Sequence, residues 1–226
     1  MAPLLLAALV IAGSVPQTCF IRADRAHRYG AAAVLKGLAA LAFVLVGVVG
    51  AAGASSPEAS TVCLGLALGA VGDVLHALRF VWPARKRPLF NVGAVSFLLG
   101  RLAYLVAVVP ACEASVAGLA ASCALAVLVD ATVLPHVRVQ SRAEFVAGGA
   151  YLAVTSAVVG FAAAGAAATP SASKVTLAVG AAAFLASDVM LAVNNFGGVN
   201  SPRLRAVSLG TYYAGQTLIA LSLALA

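Results

Sequence analysis

Charge is what this sequence has least of. Only 9% of its 226 residues are charged, where a soluble domain carries roughly 25%. That shortage excludes an ordinary water-soluble enzyme, a disordered chain and a nucleic-acid partner. Histidine is scarce too, at three residues, and the four cysteines (Cys19, Cys63, Cys112 and Cys123) include no CxxC pair. No histidine stands at metal-ligand spacing from them, so they read as small apolar residues, and neither a metal nor a cofactor is expected. The opening Met1-Ala-Pro-Leu-Leu-Leu has no basic region ahead of its apolar stretch. That stretch is therefore expected to be a retained span and not a cleaved signal.

Long apolar runs fill the chain instead. A bilayer span takes roughly 20 residues, and eight runs of about that length follow one another: Pro3–Ile21, Ala31–Ala51, Thr61–Val81, Phe90–Val109, Ser115–Leu134, Phe145–Gly165, Lys174–Val193 and Leu204–Leu225. They are too long for strands and lack the period-two alternation of a barrel. The expected fold is all-α, a polytopic membrane bundle of eight transmembrane helices, with residues 1–226 forming a single integral membrane domain.

The basic residues orient it. Arg22, Arg25 and Arg28 lie in the first connection, Arg79, Arg85, Lys86 and Arg87 at the third, Arg138 and Arg142 in the fifth, and Arg203 and Arg205 at the seventh. The even-numbered connections hold only Lys174, beside the acidic Glu58 and Glu113. By the positive-inside rule the odd-numbered loops are expected to be cytoplasmic and both termini to lie on the opposite side. The net charge of +7 then reads as contact with anionic lipid.

Five charged residues fall inside the spans: Lys36, Asp73, Arg101, Asp130 and Asp188. Each costs at least ~2.5–3.5 kcal/mol at a bilayer centre, so each needs a reason to be there. Counting ~1.5 Å per residue, all five lie near the midplane or in the half that carries the loop arginines. Helical spacing gathers polar residues onto stripes: Gly65, Gly69, Asp73 and His76; Gly93, Phe97, Arg101 and Tyr104; Phe184, Asp188 and Asn195 with Ser187 adjacent; Ser208, Tyr212 and Gln216. A carboxylate pair, a guanidinium, phenols and an amide are thus expected in one bundle interior, around a pocket open to the cytoplasmic leaflet. Asp130, near an interface, reads as a snorkelling or capping charge. His76 reads either as a core residue bonded to the helix of Asp73 or as a proton relay. There is also an internal echo. Gly72-Asp-Val-Leu-His-Ala-Leu resembles Ser187-Asp-Val-Met-Leu-Ala-Val, which suggests two parallel four-helix halves about an axis along the membrane normal.

These motifs resemble the YhhN-like lysoplasmalogenase family (alkenylglycerophospholipid hydrolases) of multi-span membrane proteins. The resemblance rests on Lys36-Gly-Leu-Ala-Ala-Leu-Ala-Phe, on Gly72-Asp73, and on Phe90-x2-Gly93-x3-Phe97-x3-Arg101-x2-Tyr104. It continues through Phe184-x2-Ser187-Asp188-x2-Leu191-Ala192 and Thr211-Tyr212-Tyr213-Ala214-Gly215-Gln216. The chain departs from the family pattern at Arg101, where a histidine is usual. The resemblance implies a membrane hydrolase that cleaves the sn-1 vinyl ether of lysoplasmalogens to a fatty aldehyde and a glycerophospho-base. Its partners would be the lysophospholipid substrate and bilayer lipids.

That chemistry needs one protonated carboxyl to protonate a vinyl carbon, and a second carboxylate to stabilise the oxocarbenium ion and orient water, as in glycoside hydrolysis. Asp73 and Asp188 are the expected catalytic pair, sharing one proton in a low-dielectric interior. Lys36, Arg101, Tyr104, Ser187, Tyr212 and Gln216 are the expected substrate-binding residues, with Lys36 and Arg101 placed to meet the phosphate. Three alternatives stand beside this reading. The first makes the aspartates structural partners of the two bases only, the second makes the chain a proton- or cation-coupled small-molecule transporter, and the third makes it a lipid binder without catalysis.

Overall fold

The computed structural model describes residues 2–52 and 57–226. Eight long helices account for nearly all of them: α1 (Ala2–Arg25), α2 (Tyr29–Ala51), α3 (Pro57–Val81), α4 (Lys86–Val108), α5 (Ser115–Val133), α6 (Arg142–Ala168), α7 (Ala172–Asn195) and α8 (Pro202–Ser222). No strand occurs among the described residues. Seven of the helices are long and apolar enough to cross a membrane. The eighth, α8, is less apolar because its stripe of Ser208, Tyr212, Tyr213 and Gln216 is turned inward and buried. It is sheltered between α7 and α2, with α1 and α3 alongside.

Several helices overrun the apolar runs. Helix α4 begins at Lys86 where the apolar pattern begins at Phe90, and α6 begins at Arg142 where the pattern begins at Phe145. Polar residues continue a helix perfectly well once it leaves hydrocarbon, so an apolar run marks membrane depth and not helix length. Serine caps set three starts. Ser141, Ser171 and Ser201 accept hydrogen bonds from the backbone N–H groups of Glu144, Lys174 and Leu204, respectively, satisfying donors that the helix itself leaves unpaired. The run after Asn195 ends α7 as a turn. Gly197 donates to the carbonyls of Ala192 and Val193, and Gly198 adopts φ +78°, a left-handed conformation that a side chain disfavours.

Large aliphatic side chains such as Val34, Leu64, Val106, Val127 and Val146 face outward, as lipid-facing surfaces require. The interior is built on Phe43, Leu66, Tyr104, Phe184, Tyr212, Tyr213 and Ile219.

The internal echo runs through the whole architecture. Asp188 follows Asp73 by 115 residues, and the same offset carries α2, α3 and α4 onto α6, α7 and α8 to within about three residues at each end. Packing repeats with it. Helices α1–α2, α2–α3 and α3–α4 pack in sequence, as do α5–α6, α6–α7 and α7–α8; the halves join where α2 meets α8 and, equivalently, where α6 meets α4. The tightest crossings obey the same register. A Cβ on Gly65 or Gly100 would stand 3.0 Å from the other residue's carbonyl oxygen. At Gly180 and Gly215, each 115 residues later, those distances are 2.9 and 2.8 Å. Only glycine permits such approach of two helix backbones.

Candidate functional site in the bundle interior

The buried charges resolve into two ion pairs, one in each half. In the first, Lys36 of α2 reaches Asp73 of α3, with Nζ 3.0 Å from Oδ1. The other carboxylate oxygen accepts from the Tyr212 hydroxyl at 2.9 Å. Tyr212 accepts in turn from Gln216 Nε2 at 3.2 Å, and Gln216 Oε1 accepts from Tyr104 at 2.7 Å. An unbroken polar chain thus links four helices. Gly69 makes room for it, since a Cβ there would sit 2.7 Å from Gln216 Nε2.

In the second pair, Arg101 of α4 donates through Nη2 to both oxygens of Asp188 on α7, at 3.1 and 3.4 Å. Its Nη1 donates to the Phe97 carbonyl at 3.2 Å. The guanidinium lies 3.8 Å from the Phe184 ring centroid and 4.9 Å from that of Tyr151, in the stacked geometry that suits arginine and not lysine. Thr155 donates to Asp188 at 3.5 Å. Arg101 Nε, although buried, has no hydrogen-bond partner. Phe184 bridges the two pairs, with its ring 3.8 Å from the Arg101 guanidinium and edge-on to Tyr212 at 5.2 Å.

Of the residues expected at the site, Lys36, Asp73, Tyr104, Tyr212 and Gln216 meet in one network, and Arg101 and Asp188 form the adjoining one. Asp73 and Asp188 share no hydrogen bond; each is held by its own base. Lys36 and Arg101 therefore both spend their charge on carboxylates. Ser187 belongs to neither network. Its hydroxyl donates to the Ser208 carbonyl at 2.8 Å, and the Ser208 hydroxyl returns the bond at 3.0 Å, stapling α7 to α8. His76 finds its partner on α4 and not on its own helix. Its Nε2 donates to the Phe90 carbonyl at 3.1 Å, and its ring stacks on that of Phe90 at 5.1 Å. A carbonyl can only accept, so Nε2 carries the proton and Nδ1 is left as a potential acceptor. Asp130 stands apart, near Gly149 of α6.

Tyr151 and Thr155 are the participants that the polar-stripe argument missed. Helix α6 has no charged residue at that depth to draw attention to them. The repeat supplies the signal, since Tyr151 follows Lys36 by the same 115 residues. Among the described residues, no three histidine, cysteine, aspartate or glutamate side chains converge to hold a metal ion.

At the arginine-rich end of the bundle, a cavity of about 10 Å³ lies among Lys36, His76, Phe80 and the Asp24–Arg205 pair. That is about the space one water needs, and Lys36 of the first ion pair lines it. Arg205 closes it with a bidentate grip on Asp24, at 2.7 and 3.1 Å, tying α8 to α1.

No curated protein and no solved structure matches the chain. A family model does, over residues 31–223, from the first turns of α2 to the end of α8. On that match across most of its length, this membrane bundle with two buried aspartate–base pairs belongs to the YhhN family, the lysoplasmalogenase family.

Proposed function

We propose that this chain hydrolyses the sn-1 vinyl ether bond of lysoplasmalogens, releasing a fatty aldehyde and a glycerophospho-base. The observation that carries the reading is the unlike partnering of two equivalent aspartates. A guanidinium does not give up its proton in a protein. The Arg101–Asp188 pair therefore stays ionic. Asp73 is instead held at one oxygen by the single point charge of Lys36, 3.0 Å away, and at the other by the Tyr212 phenol, and in this reading it is the carboxyl that carries the proton. Asp73 becomes the general acid and Asp188 the fixed anion.

The reaction then balances as follows. The Asp73 carboxyl proton is taken by the β-carbon of the vinyl ether, whose π electrons form the new C–H bond. The ether oxygen shares the resulting positive charge, which the negative field of Asp188 stabilises. Water adds to the α-carbon and returns one proton to Asp73. The hemiacetal collapses by breaking its bond to the glycerol oxygen, which leaves protonated, and the hydroxyl proton is lost as the aldehyde forms. Tyr212, Gln216 and Tyr104 orient the Asp73 carboxyl, and water enters past Lys36 from the arginine-rich end. That end is assigned to the cytoplasm by its charge, with both termini on the other side.

The test is aldehyde release from an alkenyl lysophospholipid by purified protein in bilayer nanodiscs. Asp73→Asn is expected to lower turnover by about 10²–10⁴-fold, the usual worth of a general acid, with the fold retained. Wild-type protein that releases no aldehyde from any lysoplasmalogen would overturn the assignment.

A further inference from the structure

Above the water-sized cavity, on the other side of the contact between Phe20 and Tyr213 (centroids 6.4 Å apart), a second and much larger space opens. It is a groove of about 370 Å³ between α1, α2 and α8, a volume within the range of small-ligand pockets. Its walls are apolar, with Leu9 and Val10 from α1, Ala39 and Val46 from α2, and Leu218 and Leu221 from α8. Along each helix these residues extend over about 10–12 Å, so the groove is long and follows the membrane normal. The three helices agree on which end is which. Gln17, Ala39 and Tyr213 mark the end toward the arginines, and Leu9, Val46 and Leu221 mark the other.

The arginine-side end is polar and incomplete. The Tyr213 side chain is 2% exposed, yet its hydroxyl has no hydrogen-bond partner. Buried hydroxyls are ordinarily bonded, so one left unpaired is a feature of the site. The Tyr213 ring packs on Tyr212 at 5.1 Å, whose hydroxyl holds Asp73. Lys36 stands one helical turn from Ala39. The groove thus ends where the proposed acid begins, and it presents there a phenol in want of an acceptor.

We infer that this groove seats the hydrocarbon chain of a single-chain phospholipid, with the oxygen at the head of the chain accepting a hydrogen bond from Tyr213. The inference rests on the proposed reading for the role of Asp73, but not for the occupant. Three features fit one chain and one orientation. The space runs about 10–12 Å along the helices and is lined mainly by apolar side chains. Its polar end faces the same side as the loop arginines, where an anionic headgroup is favoured. Its floor is closed where α1 and α2 touch, since a Cβ on Gly13 would stand 2.6 Å from that of Ala42. One wall is α1, which precedes the residues matched to the family.

The experiment uses the full chain in nanodiscs of diacyl phospholipid and a lysophospholipid with a photoactivatable diazirine midway along its chain. Crosslinks mapped by mass spectrometry are expected within residues 9–17 and 213–221. An unlabelled lysophospholipid should compete, and added diacyl phospholipid should not. Thr217→Trp, which places an indole in the groove, is expected to lower labelling at least ten-fold, while Leu128→Trp on the lipid-facing side of α5 leaves it unchanged. Tyr213→Phe reports on the hydrogen bond without adding bulk and should weaken binding of the ether-linked lipid several-fold. Labelling spread evenly over outward-facing residues of α5 and α6, or equal competition by diacyl lipid, would overturn the inference. Binding is read without turnover, so the two proposals fail separately. Groove labelling without aldehyde release removes the reaction and keeps the seat. Aldehyde release with labelling elsewhere does the reverse.

Discussion

Breaking the Arg101–Asp188 pair tests whether the buried charges hold the two halves together. Arg101 and Asp188 are 2% and 9% exposed, and their contact joins α4 of the first half to α7 of the second. In Arg101→Met the carboxylate loses both bonds from Nη2 and keeps only neutral hydroxyl neighbours such as Thr155. Leaving one buried member of an ion pair alone costs about 3–5 kcal/mol. Asp188→Leu strands the guanidinium instead and is expected to cost a similar amount, softened by the rings of Phe184 and Tyr151, which still face the cation. The double variant removes both charges together and puts apolar volume where the pair was. It should therefore be less destabilised than either single variant, because replacing a whole buried pair by apolar residues is often neutral or stabilising. Reversible unfolding in mixed micelles measures all three. Single-variant losses that add to within ~0.5 kcal/mol in the double variant, as independent sites do, would refute the claim that the two residues form one unit.

The glycine crossings give a symmetric prediction. Gly100→Ala and Gly215→Ala each push a Cβ to within 3.0 Å of a facing carbonyl oxygen and should cost about 1–3 kcal/mol, whereas Gly30→Ala, with open space around it, should be neutral or stabilise by up to about 1 kcal/mol; thermal unfolding separates them. Tyr104→Phe leaves the buried Oε1 of Gln216 without its donor and should destabilise by about 1–3 kcal/mol, read in the same assay. For sidedness, a cysteine placed at Arg85 in a cysteine-free background should react with a membrane-impermeant maleimide only from the cytoplasmic face, and one at Lys174 only from the other; the reverse pattern would invert the assignment.

Composition alone carried the helical architecture, because a chain with so few charges has only lipid in which to hide its apolar surface. The depth of the polar layer was legible for the same reason: a charge in hydrocarbon stands out against its neighbours. Which base meets which aspartate was not legible. A stripe at i, i+4 says which face of a helix a residue occupies, but not which helix it meets. Lys36 and Arg101 were therefore expected at a phosphate, with the aspartates as the alternative partners, and in the structure each meets one aspartate. Ser187 looked like part of the site because it adjoins Asp188, yet neighbouring residues on a helix point about 100° apart, and its hydroxyl went to α8. The seven-residue echo around the two aspartates was the one visible trace of a repeat that also relates Lys36 to Tyr151 and Arg101 to Gln216. Those substitutions erased the likeness at the positions where the two halves came to differ in chemistry.

In the proposed reaction Asp73 delivers a proton to carbon, and isotope labelling tests that step most directly. Lysoplasmalogen hydrolysed in heavy water, with the aldehyde trapped at once as an oxime, should carry one deuterium on the carbon next to the carbonyl, and Asp73→Asn should lower the yield of this labelled product by about 10²-fold or more. Aldehyde that carries no deuterium, or labelled product that forms at an undiminished rate in the variant, would contradict it.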